Sequence, residues 1–217
     1  MAADREFSRA IELNPNYANA HFYYANYLLV VGRMDEAIAR ARCAQALDPV
    51  SLPAGTNLAA ILYHAGHYRE AVEQSLRVLE IDSSFAPAHE DLGRAYEQLG
   101  MYKQAIAAFE NAVACSERSS RDLASLAHAY AVAGKRREAV KLLEELKLFS
   151  KKGYVSPYAF ALVFAGLGNR GQAFAWLAKA YAARDTALPF LKVNPRLAPL
   201  RSAPRFYKLL RRIGLSA

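Results

Sequence analysis

Cysteine is scarce in this 217-residue chain: Cys43 and Cys115 stand far apart and outside any C-x-x-C pair. Two thiols cannot supply the disulfide framework of a small secreted domain, so both are expected to be reduced and partly packed. The five histidines are scattered, and the nearest pair, His64 and His67, lacks a third and fourth donor, which argues against a metal site. No apolar run approaches the roughly 18 residues of a membrane-spanning helix. The opening Met1-Ala2-Ala3-Asp4-Arg5-Glu6 has no apolar signal core, so the chain is read as soluble and cytoplasmic. With 9 prolines and 11 glycines it is not collagen-like. Enzyme signatures are missing too. Gly134-Lys135 lacks the preceding glycines of a phosphate loop, no G-x-S-x-G occurs, and Glu90-Asp91 and Glu144-Glu145 occupy consecutive positions on predicted helix surfaces, where side chains diverge. No catalytic residue, metal or cofactor is expected. What the chain does have is apolar material, 53% of its residues, enough for a sizeable core and too much for disorder.

That material is periodic. Gly32, Gly66, Gly100, Gly134 and Gly168 follow one another at intervals of 34 residues, and five positions after each comes an alanine: Ala37, Ala71, Ala105, Ala139 and Ala173. Seven positions before each glycine sits a small residue, Ala25, Ala59, Gly93, Ala127 or Ala161, preceded by Tyr24, Leu58, Leu92, Leu126 or Phe160. Each glycine separates two stretches with apolar residues at helical spacing, such as Leu92, Ala95, Tyr96 and Leu99 before Gly100, and Tyr102, Ala105, Ile106 and Phe109 after it. A helix must end there in a left-handed residue before the chain reverses, so each unit is a helical hairpin. The small residues mark close helix approaches. Pro15 and Pro49 follow second helices, and Ser156-Pro157 is read as an N-cap with proline at the first helical position. The single tryptophan, Trp176, is assigned to helix packing.

This pattern resembles the tetratricopeptide repeat, a 34-residue helix-turn-helix unit, over residues 4 to about 184. Unit 86–119 carries Leu92-Gly93, Tyr96, Gly100, Ala105, Phe109 and Ala112, the family's signature residue types in order. The early Trp position is held instead by His21, Gly55, His89, Leu123 and Pro157, and the closing Pro is absent at Ser83, Glu117 and Lys151. The resemblance implies an all-α fold, a right-handed α-solenoid of about five hairpins. The units are placed at 18–51, 52–85, 86–119, 120–153 and 154–185, after a truncated repeat, 1–17, that has a second helix only. The chain thus opens inside a unit, as expected of a fragment of a longer protein or a shortened array. Residues 186–217 are expected to be a basic capping segment ending in a helix with the stripe Phe206, Leu209, Leu210 and Ile213. The run from Phe190 to Phe206 resembles the tail of such arrays in large bacterial regulatory proteins, where the array follows a winged helix, a cyclase or a kinase.

By the same resemblance, the first helices line a concave wall. The residues between their packing positions then face the groove: Asn19, Phe22 and Asn26; Thr56, Asn57, Ala60 and Tyr63; Glu90, Arg94 and Glu97; Arg121, Ser125 and His128; Tyr158 and Leu162. Asparagines can satisfy a peptide backbone and Phe22, Tyr63 and Tyr158 can anchor it, so the leading expectation is a non-catalytic scaffold that binds a protein or peptide. The alternative is a regulatory or sensory segment of a bacterial signalling protein, contacting a linked domain or associating with a second copy. Chaperone-binding relatives clamp a carboxylate with cations, but Phe22, Pro87 and Asp91 stand at the three cation positions here, so that clamp is rejected. Of the net charge of +8, +7 lies in residues 186–217, as Lys192, Arg196, Arg201, Arg205, Lys208, Arg211 and Arg212 with no acid. Nucleic acid is disfavoured as a partner, because no basic stripe runs through the repeats; the cations are expected to solvate the outside of the cap.

Overall fold

The computed structural model describes residues 2–215; Met1, Ser216 and Ala217, at the outer edges of the first and last predicted segments, lie outside the described residues. Helix α1 (Ala2–Leu13) leads into five hairpins: α2 (Ala18–Val31) with α3 (Met34–Leu47), α4 (Leu52–His64) with α5 (Tyr68–Ile81), α6 (Ala86–Gln98) with α7 (Tyr102–Cys115), α8 (Ser120–Val132) with α9 (Arg136–Lys152), and α10 (Pro157–Gly166) with α11 (Arg170–Ala182). Two 3-10 turns, Leu188–Phe190 and Pro195–Leu200, then precede α12 (Pro204–Arg212).

Each hairpin turns as the glycine spacing requires. The five periodic glycines have φ between 73° and 88°, in the left-handed region. The N–H of the next residue reaches back one turn and more to a helix carbonyl: Arg33 to Leu28, His67 to Leu62, Met101 to Tyr96, Lys135 to Tyr130 and Asn169 to Phe164, each at 2.9 Å. Five identical closures make five similar reversals. Ser51, Ser119 and Ser156 cap the helices that follow them through their side chains.

The periodic small residues lie where helices touch. Ala37, Ala71, Ala105, Ala139 and Ala173 are fully buried, as are Ala25, Ala59, Ala127 and Ala161. At the fifth such site, a Cβ on Gly93 would stand 2.9 Å from the Phe109 ring. Successive first helices contact one another from α2 through α4, α6 and α8 to α10, more extensively than successive second helices do. The stack therefore curves with the first helices inside, which creates a concave wall. At the N-terminal end Phe7 of α1 stacks on Tyr24 of α2, with ring centres 5.4 Å apart. At the other end Phe206, Leu209 and Leu210 of α12 are buried against α11, with Ile213 partly buried beside them.

Three expectations are corrected. Cys43 and Cys115 are exposed rather than partly packed. Glu90 and Asp91 are buried, because α6 lies in the middle of the stack with neighbours on both sides. Arg196 does not solvate the outside of the cap: it is buried inside the groove.

Candidate functional site

The concave wall is partly filled by the chain's own residues 185–200. The path begins at Arg184, whose φ of 52° turns the chain after α11. Asp185 then fixes the new direction: its carboxylate accepts from Ser156 Oγ and the Tyr158 N–H on α10 and from the Ala187 N–H at 3.0 Å. Leu188, Leu191, Leu197 and Leu200 bury themselves against α10, α11 and α12. Val193 joins the hydrophobic cluster of the N-terminal half, and its backbone hydrogen-bonds to His64. Phe190 stacks on His64, with ring centres 5.8 Å apart. Asn194 donates to the Tyr158 hydroxyl at 2.9 Å, and Arg170 holds the segment from outside, donating to the Pro199 carbonyl and to Ser202 Oγ. Repeated short turns give the segment an irregular rather than an extended course.

At its centre Arg196 is 4% exposed. Its Nε and Nη2 donate to the two Glu97 oxygens at 2.9 Å each, a bidentate pair. Nη1 donates to Ser125 Oγ and Nη2 to the Ser125 carbonyl, both at 3.2 Å. The guanidinium lies 4.9 Å from the centre of the Phe109 ring. His128 Nδ1 is 3.1 Å from the second Glu97 oxygen; a carboxylate can only accept, so the ring nitrogen donates. Burial raises the Glu97 carboxyl, but Arg196 and His128 outweigh it and hold Glu97 well below the usual carboxylate range. Burial pushes His128 down and keeps its imidazole neutral.

A second buried charge group lies next to this one. Asp91 accepts from Arg94 Nη2, Glu90 pairs with Arg121 at 3.1 Å, and Ser125 Oγ donates to Glu90 at 3.3 Å. Burial lifts Asp91 to about 7, with Arg94 opposing and Glu90 adding to the rise. Arg94 also lies 5.5 Å over the Tyr63 ring.

The predicted groove residues thus fall into two sets. Glu97, Ser125, His128 and Tyr158 contact the 185–200 segment directly. Tyr63 is buried, and Glu90 and Arg94 are drawn into charge pairs. Asn19 is exposed, and Phe22, Asn26 and Asn57 are half-buried. Asn26 donates to the Phe22 carbonyl at 3.0 Å, and Asn57 Oδ1 is buried without a hydrogen-bond partner. Thr56 spends its hydroxyl on the Leu52 and Pro53 carbonyls of its own helix. Sequence reasoning missed Asp185, His64, Asn194 and Arg196 as groove residues. The signal available for Arg196 was the excess of buried carboxylate on α6, which needs a cation from elsewhere. Beyond the groove, Arg205, Lys208 and Arg212 edge a shallow cleft over Phe174, Ala175 and Ala178, and Arg212 lies 4.2 Å over Tyr181. Among the described residues no group of three or more His, Cys, Asp or Glu is placed to hold a metal ion, and no helix is long and apolar enough to cross a membrane.

Residues 6–39, 54–81 and 86–119 each match a tetratricopeptide repeat profile. The small glutamine-rich tetratricopeptide repeat-containing protein 2 of Mycosarcoma maydis is 36% identical over 86 residues, which are 38% of this chain and only 24% of that protein's length. Among solved structures, a thermophilic tetratricopeptide repeat protein of Thermus thermophilus is 21% identical with a TM-score of 0.64, over 89% of this chain and 99% of that one. YrrB, described as a tetratricopeptide repeat protein with an unusual peptide-binding site, is 22% identical with a TM-score of 0.51, over 86% and 96% of the two chains. The structural likenesses concern the fold, and the profiles and the curated relative concern the sequence. The three profiles make this chain a tetratricopeptide repeat protein, and the solved structures share its fold.

Proposed function

We propose that this chain is a non-catalytic scaffold that holds a polypeptide segment of a partner protein against its concave wall. Repeats of this family generally serve as protein-binding scaffolds. The observation that carries the reading is the 185–200 segment, a stretch of polypeptide already held on that wall by side chains of α4, α6, α8 and α10. A wall that binds one segment through a guanidinium pair, a ring stack and an amide has the chemistry to bind another. The half of the wall around Asn19, Phe22, Asn26 and Asn57 makes fewer internal contacts and is where such a segment extends. The likeness to YrrB supports a peptide as the kind of ligand.

The test is selection of a peptide library against the intact chain, followed by affinities for two variants. Asn19→Ala with Phe22→Ala and Asn26→Ala should weaken selected peptides at least tenfold with the helical circular-dichroism signal unchanged. Lys141→Ala with Lys147→Ala on the convex α9 should leave them unaffected. Equal loss in both, or no peptide selected at all, would refute the groove reading. Arg94 is unsuitable for this purpose, since its removal would leave buried Asp91 unpaired.

A further inference from the structure

We propose that the pocket made by Glu97, Ser125 and His128 over Phe109 is a guanidinium-reading site, whose external ligands are arginine-bearing peptide segments that compete with Arg196. The inference deepens the scaffold reading and rests on it. Its basis is geometric. A guanidinium is planar, and this pocket presents a carboxylate edge-on, a serine hydroxyl and carbonyl at one side and an aromatic face at 4.9 Å. Lysine is a point charge on a flexible stem; it cannot span both Glu97 oxygens while lying flat on a ring. The pocket therefore distinguishes the two cations by shape.

Charge favours a cationic occupant. The buried carboxylates on α6 and α8 are Glu90, Asp91, Glu97 and Asp122, against the guanidiniums of Arg94 and Arg121. With Arg196 withdrawn, Glu97 keeps hydrogen bonds from His128 Nδ1 at 3.1 Å and the Gln98 amide at 3.4 Å but loses its bidentate guanidinium partner. A segment that brings a guanidinium restores both hydrogen bonds and the opposite charge to Glu97, which acidic or neutral peptides cannot do. The contacts flanking Arg196 specify more of the ligand: an aromatic ring six residues earlier for His64, and an apolar residue three earlier for the hydrophobic cluster of the N-terminal half.

Exchange is feasible because a buried ion pair adds little net stability once its desolvation is counted. What holds Arg196 in place is then the burial of its neighbours Leu191, Leu197 and Leu200 together with its tether through residues 184–195, which for a short linker amounts to an effective concentration on the order of millimolar. An external segment must compete with that.

The experiment uses a labelled synthetic peptide with the sequence of residues 187–200, and the same peptide carrying Arg196→Lys or Arg196→Gln. Fluorescence anisotropy is measured on the full chain bearing Arg196→Ala, which vacates the pocket, and on the full chain bearing Phe190→Ser with Val193→Ser, which loosens the segment and leaves every groove charge in place. Either variant, if folded, should bind the arginine peptide at least tenfold more tightly than the unaltered chain does, and at least tenfold more tightly than it binds the lysine or glutamine peptide. The unaltered chain supplies an arm independent of variant folding: millimolar arginine peptide should raise deuterium uptake across residues 188–197, and the glutamine peptide should not. Equal binding of the three peptides, or no change in uptake, would overturn the proposal. If library peptides bind through Asn19, Phe22 and Asn26 while arginine makes no difference, the guanidinium site falls and the scaffold reading stands; if nothing binds the groove, both fall.

Discussion

Glu97 shows how a single side chain can be legible as to position and opaque as to role. Its place on the inner face of α6 follows from the repeat, but its partner Arg196 is 99 residues further along the chain. Removing one member of a buried pair strands the other, so Glu97→Gln should destabilise the chain by about 3–5 kcal/mol, while Glu97→Met with Arg196→Met should destabilise it much less. Urea unfolding of the two variants checks this. His64 supplies the pH dependence. Burial, reinforced by Arg94 and opposed by a backbone hydrogen bond with Val193, pushes its imidazole from 6.5 down to about 3. The unfolded chain therefore holds more protons between those values, and the His64 contribution is full above about pH 6.5 and lost as pH falls toward 3. His128 and Glu97, both lowered, act with the same sign; Asp91, raised from 3.8 to about 7, acts with the opposite one and contributes less as pH rises through that window. Because His64 and Asp91 oppose each other over this range, the check is a difference: between pH 7 and pH 4 the urea midpoint of His64→Phe should fall less, or rise more, than that of the unaltered chain. An equal change in both would show that His64 does not titrate as its surroundings require.

At the scale of the helix pair, close contacts and turn conformations decide what is tolerated. Alanine at Gly93 would gain up to about 1 kcal/mol of helix propensity but lose about 1–3 kcal/mol by overpacking. Because Phe109 is fully buried and cannot withdraw, Gly93→Ala should be net destabilising, read as a lower urea midpoint with an unchanged slope. After α11 Arg184 takes the left-handed conformation that glycine takes at the turn within each hairpin. Arg184→Gly should stabilise by up to about 1 kcal/mol, since the strain relieved slightly exceeds the entropy glycine adds to the unfolded chain. Glu117 and Arg118, at φ of 50° and 63°, show the same substitution after α7, where neither periodicity nor proline marked the turn. The histidines at two Trp positions also find a physical reason. His21 bonds to the Pro15 carbonyl and His89 to the Ser83 carbonyl, both at 2.9 Å, and brace the loop entering each hairpin.

Across the whole molecule, each hairpin leaves apolar faces that only a neighbour can cover, and the residues after α11 cover the last of them. Leu162, Leu177 and Ala180 are buried under Leu188, Leu197 and α12. Deleting residues 186–217 should therefore expose that face and lower stability by more than the loss of contacts along an outer helix such as α1, in which no residue is fully buried. Light scattering of the deletion variant should show self-association, and hydrogen exchange of the full chain should be fastest in α1. A deletion variant that stays monomeric and as stable as the full chain would contradict this account of the cap.

The hairpins, their turns and the inward small residues could be read from spacing alone, because helix termination and close packing are local demands that recur with every unit. The amphipathic stripe of the last helix could be read for the same reason. The course of residues 185–200 could not: its sequence has short turns and prolines with no period. Its path is set by Asp185 bonding to α10, by Glu97 and Ser125 receiving Arg196, and by Val193 joining the hydrophobic cluster of the N-terminal half, all between residues distant in the chain. Composition alone made Arg196 one of seven exposed-looking cations. Only folding brings it to a buried carboxylate that pairs with it.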